Sequence, residues 1–176
     1  MANTPFVHLR LRTEFSLVDG LVRVKPLIAK AVEQQMPALA ITDKCNLFAL
    51  VRFYKAAMGA GIKPIIGSDI WVAGEEGEDP SLLCLLASND KGYKNLTELI
   101  SMAYLSGQDS GQPLVKKQWV ADLAEGIIAL SGAKVGEIGS HILKGNQQQA
   151  EQQLQHWMQV FPRRFYLEVQ RTGRPG

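Results

Sequence analysis

Two arginines at alternate positions near the start of the chain are the first residues whose spacing suggests chemistry. They belong to the stretch 6–12, FVHLRLR, in which apolar residues alternate with His8, Arg10 and Arg12. Such alternation predicts a β-strand with the three polar side chains on one face. Asp19 follows after a turn. Cations in line, followed by a carboxylate, indicate the edge of a functional pocket more than a solvated strand surface.

Two apolar runs place further charged residues near strand ends. The run 38–43, ALAITD, indicates a buried strand and is followed by Lys44, and the run 63–72, KPIIGSDIWV, indicates another that contains Asp69. In α/β folds, ligands bind where strands end and loops begin. We therefore expect functional residues in the ranges 10–19, 42–46, 67–70, 131–135 and 170–173.

Length and composition describe an ordinary globular domain. The chain has 176 residues, of which 46% are hydrophobic and 20% are charged, with a formal net charge of +2. This length suffices for one domain, or part of a larger one, with a buried core. The charge is too small to indicate DNA binding by itself. Basic residues outside the strand ends are interpreted as solvated surface rather than a phosphate track: Lys116, Lys117, Arg163, Arg164 and Arg174.

The remaining composition signals concern cellular compartment and reaction class. Cys45 and Cys84 form no ligand-spaced pair, which predicts reduced, structural thiols. There is no signal-peptide pattern, and no apolar run approaches the ~20 residues of a membrane span. We expect a cytoplasmic protein without a membrane partner. The sequence contains neither a GxGxxG nor a GxxxxGK[ST] phosphate-binding loop.

Strand and helix patterns alternate along the whole chain. Apolar runs predict further strands at 82–88, 126–132 and 165–171, helical spacing predicts helices at 26–36, 47–58 (capped by Asn46), 92–104, 116–124 and 146–161, and 106–113 is interpreted as a loop. This alternation predicts parallel strands joined by right-handed crossovers. The fold class is therefore α/β, either barrel-like or doubly wound.

In order and approximate spacing, these blocks resemble a known family. The PHP (polymerase and histidinol phosphatase) domain contains similar stretches to FVHLRLRTEFSLVDG, ALAITDKCNLFALVRFYKAAMGAGIKPIIGSDIWV, LLASNDKGYKNLTELIS, GIIALSGAKVGEIG and FYLEVQRTGRP. The variant that they resemble is the N-terminal domain of bacterial DNA polymerase III alpha subunits, the family C replicative polymerases. This resemblance implies a distorted β/α barrel, whose strand ends hold divalent metal ions in metal-binding members.

The resemblance also identifies the family's metal-ligand positions. Where those members carry a His-x-His pair on the first strand, this sequence has Arg10 and Arg12; Asp69 replaces a glutamate, and Asp19 is retained. The other matching positions also hold different residues: Lys44, Leu82, Ala133 and Thr172. Arginine offers no lone pair, and leucine and alanine offer no donor atom. We therefore expect no metal and no catalytic residue in this segment.

A vestigial pocket follows as a hypothesis, with these members: His8, Arg10, Arg12, Asp19, Lys44 and Asp69. Its fixed cations would neutralise Asp19 and Asp69 where metal ions do so in metal-binding members. His8 is interpreted as structural, and His141 and His156, on predicted helices, as surface residues. Two alternatives remain. The arginines could extend into solvent, or the three cations could hold a phosphate or pyrophosphate.

The resemblance finally implies a place in a longer protein. We expect residues 1–176 to be the N-terminal part of a PHP domain that ends before its barrel closes, with the polymerase palm, fingers and later domains outside this chain. DNA synthesis, with Mg²⁺ as cofactor, would belong to those domains. This segment would need no cofactor, would support the polymerase core and would help to dock the epsilon proofreading exonuclease. A residual phosphoesterase or pyrophosphatase activity is the alternative.

Overall fold

A computed structural model describes residues 6–74, 78–109 and 111–170 of the chain. The chain divides into two compact units, with residues up to Asp69 in unit 1 and residues from Ile70 onward in unit 2. Strands and helices alternate in both units. The α/β class predicted from the sequence is therefore confirmed.

Unit 1 is built around a buried parallel strand pair. Its elements are a 3-10 helix (Glu14–Asp19), α1 (Val24–Glu33), β1 (Ala38–Lys44), α2 (Leu50–Gly59) and the first part of β2 (Lys63–Val72). β1 and β2 are parallel, with Ala38 opposite Lys63 and Lys44 opposite Asp69. One apolar core joins these elements and includes Val24, Ile28, Leu39, Ile41, Phe53 and Ile62. Burial of β1 explains its continuous apolar run.

The opening stretch 6–12 runs beside β1 but is not a regular strand, so that prediction is wrong. The carbonyl groups of His8 and Leu11 accept hydrogen bonds from the amides of Ala40 and Thr42, at 2.9 and 2.7 Å. Three steps of the opening stretch therefore correspond to two steps of β1. A strand ladder cannot keep its register across such a mismatch.

Two details of the helices in unit 1 also differ from the sequence prediction. Val32 is 48% exposed, because the buried stripe of α1 is narrower than expected. Asn46 does not cap α2, which begins at Leu50. The Asn46 side chain instead accepts a hydrogen bond from the amide of Phe48 and donates to the carbonyl of Phe15. An Asx turn therefore precedes the helix.

Unit 2 contains the end of β2 and the later elements: β3 (Ser81–Ala87), α3 (Asp90–Ser106), β4 (Gln108–Asp109), β5 (Gln112–Pro113), α4 (Lys117–Asp122), β6 (Ile127–Leu130), α5 (Glu137–Leu143), α6 (Gln147–Val160) and β7 (Phe165–Tyr166). β6 is parallel to β7 but antiparallel to β3. The prediction of parallel strands throughout is therefore wrong. Two helices connect β3 to β6, whereas a parallel crossover usually contains one.

Smaller corrections concern the surface of unit 2. The predicted loop 106–113 contains the hairpin of β4 and β5, and of the predicted strand 165–171 only Phe165–Tyr166 pairs as a strand in the described residues. Met158 is 56% exposed, although helical spacing placed it on the inner stripe. Cys45 in unit 1 and Cys84 in unit 2 are buried thiols. Within the described ranges, none of the helices could cross a membrane.

Candidate functional site

The parallel register of β1 and β2 assembles the site in unit 1. Because Lys44 lies opposite Asp69, the charged ends of both strands meet at one edge of the pair. The amide of Cys45 donates a 2.8 Å hydrogen bond to the carbonyl of Asp69. Cys45 has a φ of +50°, so the chain turns away from the strand immediately after Lys44. This turn leaves the edge open to the opening stretch.

Asp69 is the centre of the site, and its side chain is fully buried. Nε of Arg10 lies 3.2 Å from Oδ1 and 3.1 Å from Oδ2 of Asp69. Arg12 contacts Oδ2 through Nε at 2.9 Å and through NH2 at 2.8 Å. Although the stretch 6–12 is not a regular strand, both guanidinium groups reach one carboxylate, as the alternating pattern predicted. The interpretation that they extend into solvent is wrong, because their side chains are only 14% and 26% exposed.

A second carboxylate, Asp19, is bound nearer the surface. Nζ of Lys44 lies 2.6 Å from Oδ2 of Asp19, and NH1 of Arg12 lies 3.7 Å from the same oxygen. Arg12 thus bridges Asp19 and Asp69. We call Arg10, Arg12, Asp19, Lys44 and Asp69 the ion-pair network. Among the described contacts of this network, three cations bind two carboxylates.

Asp43 positions the loop that carries Asp19. Its buried carboxylate accepts hydrogen bonds from the amide of Thr13 at 2.6 Å, from the hydroxyl of Thr13 at 2.7 Å and from the hydroxyl of Ser16 at 2.7 Å. Thr13 also caps the 3-10 helix by accepting from the amide of Phe15. The helix that ends at Asp19 is thereby fixed to the end of β1.

Gly20 closes the same loop. A Cβ atom at this position would lie 1.7 Å from the carbonyl oxygen of Thr13, so only glycine fits. Next to this contact, the amide of Glu14 donates to the carbonyl of Val22 at 2.9 Å. These contacts bring the chain after Asp19 back against Thr13 and Glu14, and they keep Asp19 within reach of Lys44.

The two carboxyl groups of the network are perturbed in opposite directions. Burial raises the pKa of Asp69, and the guanidinium groups of Arg10 and Arg12 oppose that effect. The hydrogen bond and charge of Lys44 lower the pKa of Asp19 below its usual value of 3.8, with a smaller contribution from Arg12. The cations of the network therefore lower the pKa of both carboxyl groups, and only at Asp69 does burial outweigh them.

A comparison with known protein families matches this chain to the PHP domain. The match spans residues 8–172, which is most of the chain. The chain belongs to the PHP domain family.

Relatives of this PHP domain are large proteins. It is 60% identical over 170 residues to DNA polymerase III subunit alpha of Pseudomonas aeruginosa, a match that covers 96% of this chain and 14% of that protein. It is 45% identical over 176 residues to DNA polymerase III subunit alpha of Escherichia coli K12, a match that covers 99% of this chain and 15% of that protein. The chain therefore spans about one-seventh of the curated relatives it matches. A solved amidohydrolase from Chromobacterium violaceum is similar with a TM-score of 0.45 and 21% identity, over 55% of this chain and 32% of that one.

The residues of the ion-pair network do not fit the metal cluster that the family resemblance implies. Metal ions need donor atoms with free lone pairs, and the guanidinium groups of Arg10 and Arg12 have none. Both oxygens of Asp69 contact these guanidinium groups instead. Lys44 is bound to Asp19, the residue that the resemblance identifies as the clearest retained ligand position. The described contacts at this edge are thus those of fixed cations with carboxylates.

Other residues singled out in the sequence lie elsewhere. The ring of His8 is exposed and packs edge-on against Phe6, with ring centroids 4.7 Å apart. This contact is with a residue that is not part of the ion-pair network. Leu82 is buried in β3, and Ala133 begins a short 3-10 helix (Ala133–Val135); both belong to unit 2. Thr172 lies outside the described residues.

The interpretation as surface groups is corrected for two of the five basic residues and for one histidine; Lys116 and Arg163 are exposed as expected, and Arg174 lies outside the described residues. Nζ of Lys117 binds Glu137 at 2.6 Å, and Arg164 donates to the carbonyl groups of Ala124 and Ile127. His141 is only 7% exposed. Lys117 and Arg164 therefore bind groups within unit 2, and His141 is buried there.

Sequence reasoning missed the anchoring role of Thr13, Ser16 and Asp43. Their signal was present but weak: two hydroxyl residues three positions apart after an apolar stretch are typical of a capped turn. The sequence could not indicate which carboxylate would accept from them, because Asp43 is about 30 residues away in the chain.

We expect Arg10→Ala to lower the free energy of unfolding by about 3 kcal/mol, because it removes one partner of a fully buried carboxylate. Chemical denaturation of the 176-residue chain measures this. Arg23→Ala is the matched control, since Arg23 pairs with Glu14 at 3.8 Å on the exposed surface and should cost less than about 1 kcal/mol. Equal denaturation midpoints for Arg10→Ala and the unmodified chain would contradict the buried network.

We expect the Asp19 carboxyl group to titrate below 3.8 in the folded chain. A folded-state pKa below the unfolded value contributes stability above that value, and this contribution disappears as the pH falls through the folded pKa. Carboxyl ¹³C NMR measures the midpoint. Lys44→Met should raise it, whereas Lys30→Met, which removes an exposed pair with Glu33, should leave it unchanged. An Asp19 midpoint insensitive to Lys44→Met would show that Lys44 is not the cause.

Proposed function

We propose that this chain is the PHP segment of a DNA polymerase III alpha subunit, and that the segment acts as a scaffold rather than as an enzyme. The identities of 60% and 45% to alpha subunits, over nearly the whole chain, support this assignment. DNA-directed DNA synthesis in the cytoplasm, with Mg²⁺ as cofactor, would be the activity of the longer protein. Its polymerase domains would lie outside these 176 residues.

The arrangement around Asp69 is the observation that carries the scaffold proposal. Arg10 and Arg12 contact both oxygens of a fully buried carboxylate, and their guanidinium groups have no lone pair with which to bind a metal ion. Metal-dependent hydrolysis of a phosphoester requires an ion to activate water and to stabilise the developing charge. The network has replaced the groups that would hold such an ion with groups that repel it.

A permanent ion-pair network suits a supporting role. Arginine remains protonated under all physiological conditions, so these contacts do not depend on metal supply. We propose that unit 1 presents a constant surface to the remaining domains of the alpha subunit and to the epsilon proofreading exonuclease. A separate exonuclease is the expected source of editing where the PHP domain performs no hydrolysis itself.

An anion-binding pocket is the second candidate. The convergence of Arg10, Arg12 and Lys44 at one strand edge favours it, because guanidinium and ammonium groups are the usual ligands of phosphate and pyrophosphate. Against it, the guanidinium groups of Arg10 and Arg12 already contact Asp69. Hydrolysis of a bound phosphoester would further need an activated water.

The metal test uses the 176-residue chain, dialysed against zinc and manganese, then desalted and analysed by elemental mass spectrometry. We expect the unmodified chain and Asp19→Asn to hold the same amount of each metal, because Asp19 is bound to Lys44 rather than to an ion. Asp19 is 38% exposed, so the variant is expected to fold. A stoichiometric ion lost in Asp19→Asn, together with hydrolysis of p-nitrophenyl phosphate, would favour the phosphoesterase instead.

The docking test mixes the same chain with the epsilon exonuclease and measures complex formation by sedimentation velocity. We expect a complex with one copy of each protein. Arg23→Ala, which changes an exposed residue of unit 1, serves as the control variant. It is expected to fold and to form the same complex. Sedimentation as two separate species at micromolar concentrations would contradict a docking role for this segment.

A further inference from the structure

A group of metal-ligand side chains occurs in unit 2, apart from the ion-pair network. Glu137 and His141 lie one helical turn apart on α5, and Glu78 belongs to the segment between β2 and β3. One carboxylate oxygen of each glutamate and one ring nitrogen of His141 lie within 4.8 Å of one another. Residues four apart on a helix face the same side, which is a common spacing for two ligands of one ion.

His141 supplies the independent sign of a ligand. The residue is 7% exposed, and its Nδ1 atom is buried with no hydrogen-bond partner among the described residues. A buried polar atom without a partner loses its hydrogen bonds to water and gains none in return, so such atoms are rare in folded proteins. One ring nitrogen of His141 lies near two carboxylates, and its buried Nδ1 has no hydrogen-bond partner among the described residues, as expected of a histidine that takes an ion as its missing partner.

Glu137 is held in place and still has capacity to bind. Its Oε1 accepts from Nζ of Lys117 at 2.6 Å, and its Oε2 accepts from Nε1 of the buried Trp157 at 3.0 Å. A carboxylate has about four lone-pair positions, so two remain after these bonds. Hydrogen bonds from outer residues commonly orient a metal ligand in this way.

We infer that Glu78, Glu137 and His141 form a binding site for a zinc-class divalent ion. One imidazole nitrogen and two carboxylate oxygens suit Zn²⁺, whereas Mg²⁺ and Ca²⁺ prefer oxygen ligands alone. Ligands about 2.0–2.1 Å from a tetrahedral zinc lie roughly 3.4 Å from each other, a spacing compatible with three ligand atoms that all lie within 4.8 Å of one another. Glu78 is exposed, so its side chain can adjust to the ion. The ion would join the segment before β3 to α5.

The test titrates zinc into the full 176-residue chain, first treated with chelator and desalted, by isothermal titration calorimetry. We expect one zinc ion per chain, with affinity at least about tenfold lower in His141→Gln and in Glu78→Gln. Glu78 is exposed, so Glu78→Gln remains informative if His141→Gln folds poorly. Cobalt(II) provides a second readout, because loss of a nitrogen ligand changes its visible spectrum.

His156→Gln is the matched control. His156 lies on α6 in the same unit, and its Nε2 is likewise buried without a partner among the described residues, but it is not in the cluster. Zinc binding that persists in His156→Gln and is lost in the other two variants supports the site. No zinc binding, or equal binding in all variants, overturns it. Loss of zinc binding in Asp19→Asn alone would instead contradict the proposed scaffold function. A failure of the zinc site and a failure of the proposed function are therefore distinguishable.

Discussion

The fully buried carboxylate of Asp69 is the constraint on which unit 1 depends. Removing a carboxylate from water costs several kcal/mol unless opposite charges and hydrogen bonds compensate. Arg10 and Arg12 provide both, and in doing so they fix the opening stretch against the end of β2. Through Arg12 the same carboxylate is coupled to Asp19 and Lys44. One buried charge therefore organises three segments that are distant in sequence.

A pocket built from fixed cations differs physically from one built around metal ions. A metal ion is bound reversibly, and its ligands must be deprotonated before they can hold it. Guanidinium groups are covalently part of the chain and permanently charged. In the proposed scaffold, the pocket is complete as soon as the chain folds. In such a scaffold the charges of the pocket stay the same whatever the supply of metal, and no Lewis acid is provided for hydrolysis.

The two clusters of ionisable groups in this chain have opposite character. In the ion-pair network of unit 1, both carboxylates contact cations. In unit 2, Glu137 also pairs with Lys117, but one ring nitrogen of His141 lies near two glutamates, and its buried Nδ1 has no partner among the described residues. The first cluster repels a metal ion, and the second has the groups to attract one. The proposed scaffold in unit 1 and the inferred zinc site in unit 2 are therefore compatible within one PHP domain.

By itself the sequence determined the α/β class, most helices and strands, and the identity of the ion-pair residues. Alternation placed Arg10 and Arg12 on one face, and residue chemistry excluded them as metal ligands, because both follow from local pattern and side-chain type. Only the tertiary structure decided that both arginines meet Asp69, that Asp43 anchors Thr13 and Ser16, and that His141 is buried. Those contacts join residues far apart in sequence, or depend on packing by elements outside the local pattern. The irregular opening stretch and the antiparallel β6 have the same origin, since strand register and direction are set by neighbouring segments.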